Sequence, residues 1–137
     1  MDFGEVRIGL ELSDETGTLA SPLVTLRRRR GKRPPLAQIE VAAREHGVRA
    51  VVVGLPLDLS GEETPWSGEV RKMAAELGHR LELPVHLVDE RMTSVRAARA
   101  IRTIGRPRGK REEKARIDAA AAAIILQGWL DRKLADL

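Results

Sequence analysis

The chain has 137 residues, 42% hydrophobic and 32% charged, with a formal net charge of +4, which suits one domain over 1–137 with a buried core. It has no cysteine, so disulfides, zinc–thiolate sites and thiol catalysis are excluded. No apolar run approaches the roughly 20 residues of a membrane span, and the start lacks the basic and apolar regions of a secretory signal. A cytoplasmic protein with no membrane partner is expected.

In chain order, Val6 to Leu12 alternates with period two and predicts a strand with one buried face. "DETG" (Asp14 to Gly17) is a turn. Thr18 to Ala20 and Leu23 to Leu26 predict two further short strands, separated by Ser21-Pro22. Three strands joined by tight turns give an antiparallel meander. "RRRRGKRPP" is a loop, because its charge, Gly31 and the Pro34-Pro35 pair resist regular structure. Leu36 to Glu45 carries an apolar stripe and is helical, closed by His46-Gly47. "VRAVVVGLP" is a continuously apolar, β-branched run, as expected of a central strand covered on both faces. A loop, "LDLSGEETP", leads to a helix over Trp66 to Arg80 and a second buried strand in "LPVHLVDE". A helix over Thr93 to Ile104, a basic loop "GRPRGKREE" and a long Ala-rich helix over Glu113 to Leu134 complete the chain. The fold class is α/β: a mixed sheet, antiparallel then parallel, with helices on both faces.

Positive charge concentrates in "RRRRGKR" (Arg27 to Arg33) and in "RTIGRPRGKREEKAR" (Arg102 to Arg116). Such clusters attract polyanions, chiefly nucleic acid; the ordinary alternative is a solvated Arg-rich surface. Phe3, Trp66 and Trp129 are the only Phe, Trp or Tyr, too few for a base-stacking platform.

Three acidic positions lie at element boundaries among apolar neighbours: Asp2 before the first strand, Asp89-Glu90 at the end of the last strand, and Asp118 beside "AAAAAIIL". Burying an unpaired charge is costly. Converging carboxylates would bind hard divalent cations such as Mg²⁺ or Mn²⁺ and leave positions open for phosphate. Taken singly, each acid has an ordinary explanation: Asp2 as a terminal residue, Asp89 or Glu90 paired with Arg91 or capping a helix, Asp118 paired with Lys114 one turn away. Adjacent strand residues point to opposite faces, so only one of Asp89 and Glu90 is expected to face a shared site. Alternation alone does not say which.

Four segments together resemble one family. "DFGEVRIGLELSD", "VVVGLPLDLSGEETP", "VDERMTS" and "KARIDAAAAAIILQGWL" are similar, in order and spacing, to the motifs of the YqgF/RuvX family of RNase H-like nucleases, relatives of the Holliday junction resolvase RuvC. The resemblance implies an RNase H-like sheet and a catalytic, metal-binding centre of Asp2, Glu90 and Asp118, with Asp89 beside it and Glu90 preferred. It implies Mg²⁺ or Mn²⁺ as cofactor and nucleic acid as partner, RNA favoured and branched DNA as the alternative. Arg7, Arg91, Thr93 and Lys114 would flank the centre and meet phosphate, with Arg106, Arg108 and Lys110 of the basic loop on the backbone. The Gly54-Leu55-Pro56 loop would shape one wall, while Gly4 and Gly9 serve close backbone packing. The implied activity is two-metal hydrolysis of phosphodiester bonds in 5′-end processing of precursor 16S ribosomal RNA. Holliday junction resolution is an alternative, and it needs a two-fold dimer; the sequence leaves monomer and homodimer open. An actin-like ATPase would need a second such domain. A catalytically silent binding module in ribosome assembly is the alternative of another class.

Two departures from the family pattern stand out. The family has several apolar residues before its opening Asp where this chain has Met1, so a late start or a truncation is expected, with Asp2 less firmly held. Glu11 stands where the family has Ala; it is expected at the surface or paired with an Arg, on the face opposite Ile8, Leu10 and Leu12.

Overall fold

A computed structural model describes residues 1–29, 31–90 and 123–133. Their elements are β1 (Asp2–Phe3), β2 (Arg7–Ser13), β3 (Ala20–Arg27), α1 (Leu36–Glu45), β4 (Val51–Leu55), α2 (Pro65–Leu81) and β5 (Val85–Asp89), and residues 123–133 are helical. The expected Thr93 to Ile104 helix, the basic loop after it and the first part of the last helix lie outside the described residues.

The antiparallel meander forms with different boundaries from those the sequence predicts. The opening segment is two strands: Gly4 turns the chain, its amide donating to the Arg7 carbonyl at 2.8 Å, so Phe3 pairs with Ile8 and Asp2 with Gly9. Conversely, the two short strands expected around Ser21-Pro22 are one strand, β3. Pro22 pairs with Glu11 where the register shifts between Leu10 and Glu11. A bulge on an edge strand is a place where proline's missing N–H is tolerated, which is why it does not split β3.

β4 and β5 pair in parallel from Val51↔Val85 to Leu55↔Asp89, and the Glu90 amide extends the ladder to the Leu55 carbonyl at 3.3 Å. Met1 joins this pair to the meander. Its ammonium donates to the Val52 carbonyl at 2.7 Å, and the Gly54 amide donates to the Met1 carbonyl at 3.0 Å. Two bonds flanking Val53 in this way are the pattern of a parallel pair. The strands therefore run β3-β2-β1-β4-β5 across one surface, with the ends of β1, β4 and β5 at the same edge.

Helices cover both faces. On one, Phe3, Ile8, Val53 and Leu55 pack with Leu36 and Ile39 of α1 and with Val70, Met73, Ala74 and Leu77 of α2. On the other, Val52 packs with Ile125, Leu126 and Leu130 of the C-terminal helical residues. α2 starts sharply: Pro65 occupies its first turn, and Thr64 and Ser67 form a reciprocal capping box. Buried Ser67 also donates to the Pro56 carbonyl, tying the helix start to the chain leaving β4. α1 ends where Gly47 takes a φ of +60°, a left-handed conformation that suits glycine. Gln127 clamps the second layer to the turn after β2: its amide donates to the Thr18 carbonyl at 2.8 Å, and its Oε1 accepts from the Ala20 amide at 3.0 Å.

A Cβ at Gly4 would lie 2.5 Å from the Arg7 carbonyl oxygen, a backbone atom that cannot step aside. Gly4→Ala is expected to destabilise the protein by about 1–3 kcal/mol, measured by denaturant unfolding.

Candidate active site: two carboxylates at the sheet edge

Asp2 and Glu90 arrive at one place from opposite ends of the sequence. β1 lies between β2 and β4, so Asp2 is a neighbour of the β4 ladder. Glu90 follows β5 and is bonded back to Leu55. Its side chain turns over Gly54: a Cβ built on Gly54 would sit 2.6 Å from Glu90 Oε2 and 2.7 Å from Ile125 Cδ1. Gly54, expected in a wall loop, is a strand residue, and the chain leaves β4 only at Pro56. Its missing Cβ is the space that both the carboxylate and the C-terminal helical residues occupy.

Alternation separates the acidic pair. Asp89 is exposed, whereas Glu90 is half-buried. Burial raises the Glu90 carboxyl to about 7, and the charge of Asp2 and a side-chain hydrogen bond with Asp2 add to the rise; Asp89 is a smaller, like-charged contribution. A hydrogen bond between two carboxyl groups requires a proton on one of them, and the rise at Glu90 favours Glu90 as its carrier. Without that proton two like charges would face each other in a partly desolvated space. A hard divalent cation can replace the proton, and an all-oxygen donor pair suits it. The pair fits such a cation as part of a ligand set; among the described residues no group of three or more His, Cys, Asp or Glu could hold one.

Glu11 corrects an expectation. It lies on the face opposite Ile8 and Leu10, as alternation predicts, but it is not exposed, and among the described residues it is not paired with an Arg. Its side chain has no exposed surface, and it pairs with the Met1 ammonium at 3.2 Å. The reason is the second helical layer, which covers the face that a solvated Glu11 would need. Burial raises its carboxyl to about 7 against the opposing pull of the ammonium, with Asp2 adding a smaller rise. Its Oε2 is buried without a hydrogen-bond partner among the described residues.

Of the other residues singled out from sequence, Arg7 begins β2, half-buried, two positions from Gly9 and so on the face that carries Asp2. Asp118, Arg91, Thr93, Lys114, Arg106, Arg108 and Lys110 lie outside the described residues. Sequence reasoning missed the burial of Glu11 and the clamp made by Gln127. For Glu11 a signal existed, since it shares the alternation of Gly9, the partner of Asp2.

An acid whose folded value lies above its unfolded one loses stability as pH rises between the two. For Glu90 that window runs from the ordinary 4.5 to about 7. Glu90→Gln is therefore expected to match the wild type near pH 4 and to exceed it by on the order of 2 kcal/mol at pH 8, read from paired denaturant melts. Gly54→Ala should lower stability by about 1–3 kcal/mol through overpacking, and should displace Glu90, abolishing that pH-dependent difference.

The relatives of the chain agree with this architecture. The RuvX model, described as Holliday junction resolvase, matches residues 1–132. A protein of Nocardioides sp. named "Putative pre-16S rRNA nuclease" is 46% identical over 138 residues, covering 98% of this chain and 87% of its own. One of the same name from Anaeromyxobacter dehalogenans is 43% identical over 133 residues, covering 97% of this chain and 95% of its own. Among solved structures, Thermus thermophilus RuvC superposes with a TM-score of 0.58 at 16% identity, over 98% of this chain and 93% of that one. RuvC in complex with a Holliday junction substrate gives the same TM-score at 18% identity, over 97% of this chain and 92% of that one. The fold is that of RuvC, an RNase H-like sheet, and with matches over nearly its whole length at more than 40% identity the chain belongs to the RuvX family.

Proposed function

We propose that the chain is a single-domain, metal-dependent nuclease of the cytoplasm that hydrolyses phosphodiester bonds, with precursor 16S ribosomal RNA as substrate. The observation that carries this is the convergence of the Asp2 and Glu90 side chains at the sheet edge, with Glu90 lying over Gly54 and within hydrogen-bonding reach of Asp2. The names of the relatives support the substrate.

In this reading Asp2 and Glu90, with Asp118 and with Asp89 as an outer charge, hold Mg²⁺ or Mn²⁺. Bound divalent cations supply Lewis acidity at the phosphate and make a water acidic enough to attack. The protein fixes the rest. β1 and the end of β5 hold the Asp2 and Glu90 carboxylates on a rigid backbone, which limits reorganisation during reaction. With a cation bound, Asp2 and Glu90 would both serve as ionised oxygen ligands. Arg7, on the same face, offers a guanidinium to the phosphate beside the cleaved one.

Glu90→Gln and Asp118→Asn are each expected to reduce cleavage of single-stranded RNA with Mn²⁺ on the order of a hundredfold or more, while binding of the RNA persists. Unchanged cleavage in both variants would remove the metal-nuclease reading and leave a binding module. The family's description favours a second substrate, branched DNA. The same assay run on a four-way DNA junction separates the two, since a resolvase would cut the junction in symmetry-related strands and would sediment as a dimer.

A further inference from the structure

The run Arg27 to Arg33 divides by strand alternation. Arg28 lies on the face covered by α1 and α2. Its guanidinium stands 5.2 Å from the Phe3 ring centroid and 5.3 Å from that of Trp66, and the two rings stack on each other at 5.5 Å. It also donates to the Lys32 carbonyl through Nε at 3.1 Å and Nη2 at 2.9 Å, and its amide donates to the Val6 carbonyl at 2.7 Å. Arg28 is therefore the anchor that fixes the end of β3 and the basic loop. Arg27, one residue earlier, takes the opposite face, the face of Asp2.

On that face Arg27 pairs directly with Arg7 across the β2–β3 ladder. Like charges directly opposite each other destabilise a sheet. Among the described residues no carboxylate forms an ion pair with either one. The next row on the same face is Asp2, Gly9 and Thr25, two residues along β2 or roughly 7 Å away. That is close to the spacing of neighbouring phosphates along a polynucleotide chain. Two arginines paired across the ladder, one same-face row from Asp2, have the charge and position to hold the backbone of a bound strand.

Resting on the nuclease reading, we infer that Arg27 and Arg7 form a two-strand phosphate clamp, and that Arg27 is a substrate-binding residue that positions the strand beside the carboxylate pair. Among the described residues no carboxylate offsets this like-charge contact, and a bound phosphate would neutralise it.

The test is binding of a fluorescent single-stranded RNA by anisotropy, in EDTA so that no cleavage occurs, across a salt series. Arg27→Gln should weaken binding and reduce the slope of log affinity against log salt by about one. Arg27→Lys should restore the slope. Arg49→Gln, an exposed basic residue beyond the other end of the sheet, removes the same charge and should leave the slope near wild type. Thermal melts without RNA should show Arg27→Gln at least as stable as wild type, with a gain of about 1–2 °C at low salt. An unchanged slope in Arg27→Gln, or an equal loss in Arg49→Gln, overturns the clamp. If the wild type nevertheless cleaves RNA, the nuclease reading survives that result; a wild type that neither binds nor cleaves RNA overturns both.

Discussion

Everything at the candidate site depends on the backbone pairing that seats β1 between β2 and β4. The bond from the Gly54 amide to the Met1 carbonyl and the bond from Met1 to Val52 bring two separate ladders edge to edge. Without them Asp2 would be a terminal acid in solvent, and Glu90 would be a strand-end acid with no neighbour. With them the two carboxyl groups come within hydrogen-bonding reach of each other, and the Glu90 carboxyl is raised. The position is set by main-chain hydrogen bonds, which are short-ranged and directional, rather than by attraction between the acids, which repel.

Holding two acids together needs space as well as pairing. Gly54 provides it by lacking a Cβ where Glu90 and Ile125 both approach within 3 Å of the place one would occupy. The C-terminal helical residues pack on this same face against Val52, and Glu11 is buried on it. The acids are thus part of a common arrangement: burial raises the carboxyl groups of both Glu90 and Glu11, and exclusion of water is also what makes charge stabilisation effective in a reaction centre.

The basic charge at the same edge is organised differently. Arg28 contributes through packing, its guanidinium lying over Phe3 and Trp66, a contact worth roughly 0.5–2 kcal/mol. Arg27 contributes through charge on the opposite face. A run of identical residues therefore holds two roles, and strand alternation, not residue type, assigns them. The scarce aromatic residues fit this division: Phe3 and Trp66 hold a loop in place, and Trp129 packs beside His86 at 5.0 Å under Lys133.

By itself the sequence determined the order of elements from Leu36 to Asp89, because helical stripes and β-branched runs are local patterns that burial enforces. It also determined the family, since four motifs in order leave few alternatives, and the acids that end strands. It could not place the turn at Gly4, because a two-residue strand has no periodicity to read. It could not show β3 as one strand, because a bulge tolerates a proline that local rules treat as a break. The different exposure of Asp89 and Glu90, the burial of Glu11 and the placing of Arg27 and Arg28 on opposite faces were decided only by tertiary structure. Each depends on which face of the sheet a second layer covers, and that is set by contacts between residues far apart in the chain.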